Sequence, residues 1–205
     1  MKKLKAIKNH NQILIIIIGL FTTTNLFSQN ADFKLLYNCN AGKLPMWDKT
    51  MKGVSWSVYP AMPLTVGGIW LDGYLRKDNE RMRNGYKSAI TLCLANGLSY
   101  GLKYSIKRDR PFVTYPDKIE QRTHVGPLSF PSGHTTAAFA TATGLSLSTK
   151  KIGIIIPSYI YAGFVGYSRM RLGVHYPSDV FAGALIGIGS GFLVWQIDKW
   201  TRKTN

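Results

Sequence analysis

Five apolar segments, at 54–75, 88–106, 134–148, 152–167 and 180–197, are separated by connectors of two alternating kinds. One kind is basic and otherwise featureless: Arg76–Lys87, Lys150-Lys151 and Lys199–Lys203. The other kind holds every side chain suited to catalysis. Segments of this kind predict an all-α fold, a helical bundle of five to six mostly transmembrane helices. If they cross a bilayer, the basic connectors fall on one side and the reactive ones on the other. That is the positive-inside arrangement, with the active end extracytoplasmic. Several segments fall short of the roughly 20 apolar residues of a lipid-exposed span, and 134–148 is rich in Ala and Thr. A soluble bundle with buried inner helices is therefore the alternative. Small residues and Thr also suit contacts between helices inside a membrane, which favours insertion.

Residues 1–29 open with Lys2, Lys3, Lys5 and Lys8, followed by the short apolar run Ile13–Phe21 and a polar Thr stretch. This pattern predicts a signal peptide or a retained first membrane helix, and both carry the following chain across the membrane. Residues 30–205 are expected to form one domain. The formal net charge is +16, which suits nucleic acid, anionic lipid or a phosphorylated substrate. The basic residues lie in short clusters rather than one stripe, which argues against nucleic acid. Charged residues make up only 18% of the chain, yet the mean hydropathy of -0.03 is low for a membrane protein. Two cysteines, Cys39 and Cys93, make neither a disulfide framework nor, without a His cluster, a zinc site.

Three short motifs lie in the reactive connectors. In Ser168-Arg169…His175…Asp179, Pro177 marks a helix start. The His and Asp, four apart, place a carboxylate to reach back to an imidazole. That would hold one ring nitrogen as N–H and leave the other as a neutral nucleophile. Arg169 brings a guanidinium fork suited to phosphate. Lys103 and Arg110-Pro111 add positive charge. In Pro131-Ser132-Gly133-His134 a helix N-terminus leaves amides for an anion, and His134 is placed to give a proton to a departing oxygen. Each has an ordinary alternative: Lys103 as a snorkelling lysine, Arg110-Pro111 as a helix stop, Arg169 and His175 as surface residues near a helix start.

Together the motifs read K-x6-R-P, P-S-G-H and S-R-x5-H-x3-D, in that order. This set resembles the type 2 phosphatidic acid phosphatase superfamily, with every signature position filled. The run from Leu172 to Gly183, leading into an apolar helix, resembles its membrane branch. The resemblance implies a metal-independent phosphatase with no cofactor, working through a phosphohistidine intermediate. It makes His175 the nucleophile and Asp179 its orienting partner. Lys103, Arg110 and Arg169 would bind the phosphoryl oxygens, helped by Ser132 and the Gly133 amide. His134 would protonate the leaving group and then activate water. The implied partner is a phosphorylated lipid or lipid pyrophosphate in the membrane, whose identity the motifs do not choose; no obligate protein partner is implied. Alternatives are a soluble periplasmic acid phosphatase of the same superfamily, a vanadium haloperoxidase, or a non-catalytic lipid-binding membrane protein. His124 and Glu120 are expected in a loop near the site. Lys107, Arg108 and Arg171 are expected to add to the field or meet lipid headgroups, and Asp109 to temper it.

Overall fold

The computed structural model describes residues 30–202. The segment 1–29, expected to be a signal peptide or first membrane helix, lies outside the described residues. The chain divides into two compact units, Met1–Leu35 and Leu36–Asn205. In the first, the described residues 30–35 are helical; the helix α1 covers 30–40. The second unit continues with α2 (Pro45–Trp56), α3 (Val58–Leu75), α4 (Asn79–Ile106), a single turn α5 (Pro111–Thr114), α6 (Gly133–Thr149), α7 (Ile152–Arg171) and α8 (Pro177–Thr201). The described residues form no strand beyond the lone bridge between Asp109 and Leu128. The all-α expectation holds, and the five long helices α3, α4, α6, α7 and α8 answer to the five apolar segments.

Boundaries depart from the sequence reading where local chemistry overrides composition. The basic connector Arg76–Lys87 is mostly the start of α4, because the Asp78 carboxylate accepts the Arg81 amide at 3.1 Å and caps the helix. Lys107, at φ +50°, ends α4 in the left-handed region. The polar stretch before residue 54 is largely helical, as α1 and α2. Pro60 falls in the first turn of α3, where helix amides have no intrahelical acceptor, so the chain breaks at Ser57 instead. Pro177 opens α8 as expected.

Small and polar side chains line the interior: Ala137, Ala138, Ala140, Ala142 and Ala162 are buried, with Thr91, Thr135, Thr136 and Thr143. Large apolar side chains face outward, among them Ile152, Ile156, Ile160 and Phe164 along α7 and Phe181, Leu185, Phe192 and Ile197 along α8. α8 approaches α6 through Gly183 and Gly187, where an added Cβ would lie 2.8 Å from the Ser132 carbonyl and 2.6 Å from that of Thr136. Backbone thus meets backbone, as in close-packed membrane helices. Among the described residues only α8 is long and apolar enough, by length and composition, to cross a membrane. The expected five to six mostly transmembrane helices are therefore matched in helix number but not helix by helix in hydropathy; α4 carries a charged first turn and α7 ends in Arg169 and Arg171.

Candidate active site

The motif residues converge at one end of the bundle, where α4 and α7 finish and α6 and α8 begin. Gly133, His134, Lys103, Arg110, Arg169 and His175 line a single cavity of about 430 Å³. The start of α6 is tied to the start of α8 by the Ser132 amide, which donates to the Asp179 carbonyl at 3.0 Å. The first intrahelical bond of α6 runs from the Thr136 amide to the Ser132 carbonyl. The amides of Gly133 and His134 precede it, and Gly133 carries no side chain to cover them.

Each motif cation is held by neutral groups. Lys103 Nζ donates to the carbonyls of Leu128, Ser129 and Pro131 at 3.0–3.3 Å. Arg110 donates to Gly126 O and Val174 O, both at 2.6 Å. Arg169 Nη1 donates to the Ser55 hydroxyl, while its buried Nε has no hydrogen-bond partner among the described residues. Among the described residues no carboxylate forms an ion pair with any of the three. Burial pulls Arg110 down to about 10, which leaves it a cation at neutral pH.

His175 is almost wholly buried. Arg110 Nη1 lies 3.3 Å from its Nε2. A guanidinium cannot accept, so Nε2 presents its lone pair and the ring proton sits on Nδ1. Burial, reinforced by Arg169 and Arg110 and opposed by Asp179, pulls His175 down to about 3, so the ring is neutral. Nδ1 faces Asp179 Oδ2 at 3.5 Å, longer than a hydrogen bond, and has no hydrogen-bond partner among the described residues. His175 precedes α8 rather than lying on its first turn, so the pair meets across a helix start and not along a helix face.

Asp179 is satisfied chiefly by others. Its carboxylate accepts from Arg108 Nη1 at 2.7 Å, from the Ser129 hydroxyl, and from the Tyr176 amide at 2.9 Å. Arg108 also donates to Ser178 at 2.7 Å and lies over the Tyr176 ring at 3.8 Å. Sequence reasoning gave Arg108 only a general role; the only hint was its position between Lys103 and Arg110. Ser129 carried no signal, because its contact with Asp179 spans fifty residues.

The remaining expected residues separate. Ser132 is fully buried, and its hydroxyl accepts from Thr135 at 2.9 Å rather than lining the cavity. His134 lines the cavity with its ring edge-to-face on Tyr59, centroids 5.2 Å apart. His124 also lines it, while Glu120 pairs with Arg122 at 3.2 Å. Arg171 does not reach a headgroup: it is buried, with Nε 2.7 Å from Asp48 and its other nitrogens on the carbonyls of Cys39, Ala41 and Gly42. Gly173 (φ +73°) makes the turn between Arg171 and His175, where a Cβ would lie 2.3 Å from the Glu120 carbonyl.

A neutral imidazole, three cations without an ion pair among the described residues and a helix N-terminus around one cavity define a site for a small, multiply charged anion such as a phosphoryl group. A model of the PAP2 superfamily matches residues 85–203. The chain is 30% identical over 142 residues to undecaprenyl-diphosphatase BcrC of Bacillus subtilis, covering 69% of this chain and 70% of that protein. It is 38% identical over 186 residues to the lipid A 4'-phosphatase of Bacteroides thetaiotaomicron, covering 83% and 78%. The crystal structure of the first transmembrane PAP2 type phosphatidylglycerolphosphate phosphatase from Bacillus subtilis superposes with a TM-score of 0.70 at 25% identity, covering 92% of this chain and 94% of that one. The chain belongs to the PAP2 superfamily, as its motifs suggested.

Proposed function

We propose that this protein is a lipid phosphate phosphatase of the membrane, acting through a phosphohistidine and without a metal. The observation that carries the reading is the charge balance: Lys103, Arg110 and Arg169 are oriented by carbonyls and a hydroxyl and, among the described residues, ion-paired with no carboxylate, beside an unprotonated His175 Nε2. In this reading Nε2 attacks phosphorus, and the bond from phosphorus to the leaving oxygen breaks. His134, entering the step as the imidazolium, gives a proton to that oxygen and is left neutral. Water then attacks phosphorus, the N–P bond breaks with its electrons returning to His175, and His134 takes the water's proton. Phosphate leaves. Three cations and the α6 amides stabilise the charge that builds on the equatorial oxygens, the work for which many phosphoryl-transfer sites use a metal.

Lipid as substrate class is supported by the relatives, two of which are named for diphosphatase and lipid A phosphatase activity and one for a phosphatidylglycerolphosphate. It is also supported by the outward-facing apolar side chains of α7 and α8. The basic connectors gather at the opposite end, where Arg81, Lys87, Lys150, Lys199 and Arg202 line one cavity. With that end cytoplasmic, the catalytic end faces the periplasm or extracytoplasmic side.

The test is phosphate release by the purified, detergent-solubilised protein in EDTA, across phosphatidic acid, phosphatidylglycerol phosphate, a polyprenyl pyrophosphate, a phosphorylated lipid A and a soluble ester. Release from a lipid that vanishes in His175→Ala is expected. Release from the soluble ester alone would replace this reading with the acid phosphatase one, and so would recovery of the protein in the soluble fraction of carbonate-washed membranes.

A further inference from the structure

Helix α2 lies outside the segment matched by the family model, yet it reaches the active site. Asp48, Met51 and Ser55 are spaced three and four apart, which puts them on one face of the helix. All three touch the stretch that carries Arg169 and His175. Asp48 binds Arg171 at 2.7 Å. Met51, 1% exposed, packs in one buried cluster with Leu172 and Val174. Ser55, also 1% exposed, accepts the hydrogen bond from Arg169 Nη1.

The two arginines lie two residues apart at the end of α7, and α2 treats them differently. Arg171 receives a carboxylate and the carbonyls of Cys39, Ala41 and Gly42, so its charge is spent on structure. Arg169 receives, among the described residues, only a hydroxyl. A hydroxyl orients a guanidinium without cancelling its charge, and here it leaves the buried Nε unengaged. Without that bond the guanidinium has no other side-chain hydrogen-bond partner among the described residues, and a long arginine side chain regains its rotamer freedom.

We infer that Ser55 is a positioning residue, supplied by α2, that aims the Arg169 guanidinium at the phosphoryl site while preserving its charge. This rests on the proposed function for the role of Arg169, but its test reads anion binding directly. The probe is inorganic phosphate, titrated calorimetrically into the full-length detergent-solubilised protein in EDTA.

Ser55→Thr and Ser55→Val are nearly isosteric and differ in the hydroxyl, so packing is held constant between them. Thr is expected to bind phosphate as the wild type does, and Val about tenfold more weakly, the scale of one hydrogen bond to a charged group. In an Arg169→Ala background, Ser55→Val is expected to cause no further loss, because it acts through that side chain. Equal affinities for Thr and Val, or losses that add in the double variant, would overturn the assignment. Phosphate binding that follows this pattern in a protein releasing phosphate from none of the lipids would leave the inference standing and remove the proposed function instead.

Discussion

The two ends of the bundle hold their central basic side chains in opposite ways. At the end away from the cavity, Arg83 and Lys87 share Asp198 at 2.6 and 3.3 Å, and Arg202 reaches both Glu80 and Asp198 at 2.8 and 3.0 Å. Arg76 and Arg81 pair with Asp72. There, cations and carboxylates close on one another, and α4 is clamped to α8. At the catalytic end the one carboxylate at the centre, Asp179, is already engaged by Arg108, Ser129 and the Tyr176 amide. Lys103, Arg110 and Arg169 are left to dipoles. Charge that is paired builds structure; charge that is only oriented remains available to an anion.

The largest effect expected is the loss of turnover in His175→Ala, with no phosphoenzyme formed when the protein is mixed with labelled substrate and quenched in alkali. A stable phosphoenzyme in that variant would move the nucleophile elsewhere. Arg110→Gln comes next. It removes one uncompensated cation and is expected to lower kcat/KM by about 10²–10³-fold, the scale for loss of one oriented donor to the transition state. A loss of only a few fold would mean that the charge at this end is not what the site uses.

The opposite end gives the complementary case. Asp198→Asn should leave kcat/KM within twofold while lowering the melting temperature, because Lys87 would keep a buried ammonium without its main counter-charge. A large drop in activity without a drop in melting temperature would break the division of labour between the ends.

The smallest effect is a titration. With His175 held near 3 by burial, its unfolded value of about 6.5 lies above its folded one. The unfolded chain then binds more protons between those values, so the stability tied to this residue is complete above pH 6.5 and declines as pH falls through the window. The NMR resonance missing from histidine-labelled His175→Gln should stay fixed from pH 8 to pH 5. A midpoint near 6.5 would show the ring to be solvated rather than sealed.

Much of this was legible in the chain. Lys103, Arg110, Gly133, His134, Arg169 and His175 line one cavity because motif spacing records which helix ends meet. Five apolar runs likewise record five long helices. What escaped were partners fixed only by tertiary approach: Ser129 for Asp179, Ser55 for Arg169 and Asp48 for Arg171. Their contacts span 50, 114 and 123 residues, and a lone Ser or Asp carries no periodic signal. Ser132 shows a related limit. A helix-capping position is visible in sequence, but not that its hydroxyl is taken up by Thr135. The hydropathy of single helices is a blunt guide here, since the buried interior is rich in small and polar side chains while large apolar ones face outward.

The bond from the Ser132 amide to the Asp179 carbonyl ties the start of α6, where His134 lies, to the start of α8, just after His175, through main chain. Side-chain drift cannot readily lengthen or shorten it. The cavity walls contributed by α3 and α4, such as Met62 and Tyr100, are by contrast ordinary side chains on separate helices. A descendant of this chain could exchange those walls one residue at a time and meet a new substrate, while the tie between the two helix starts stayed as it was.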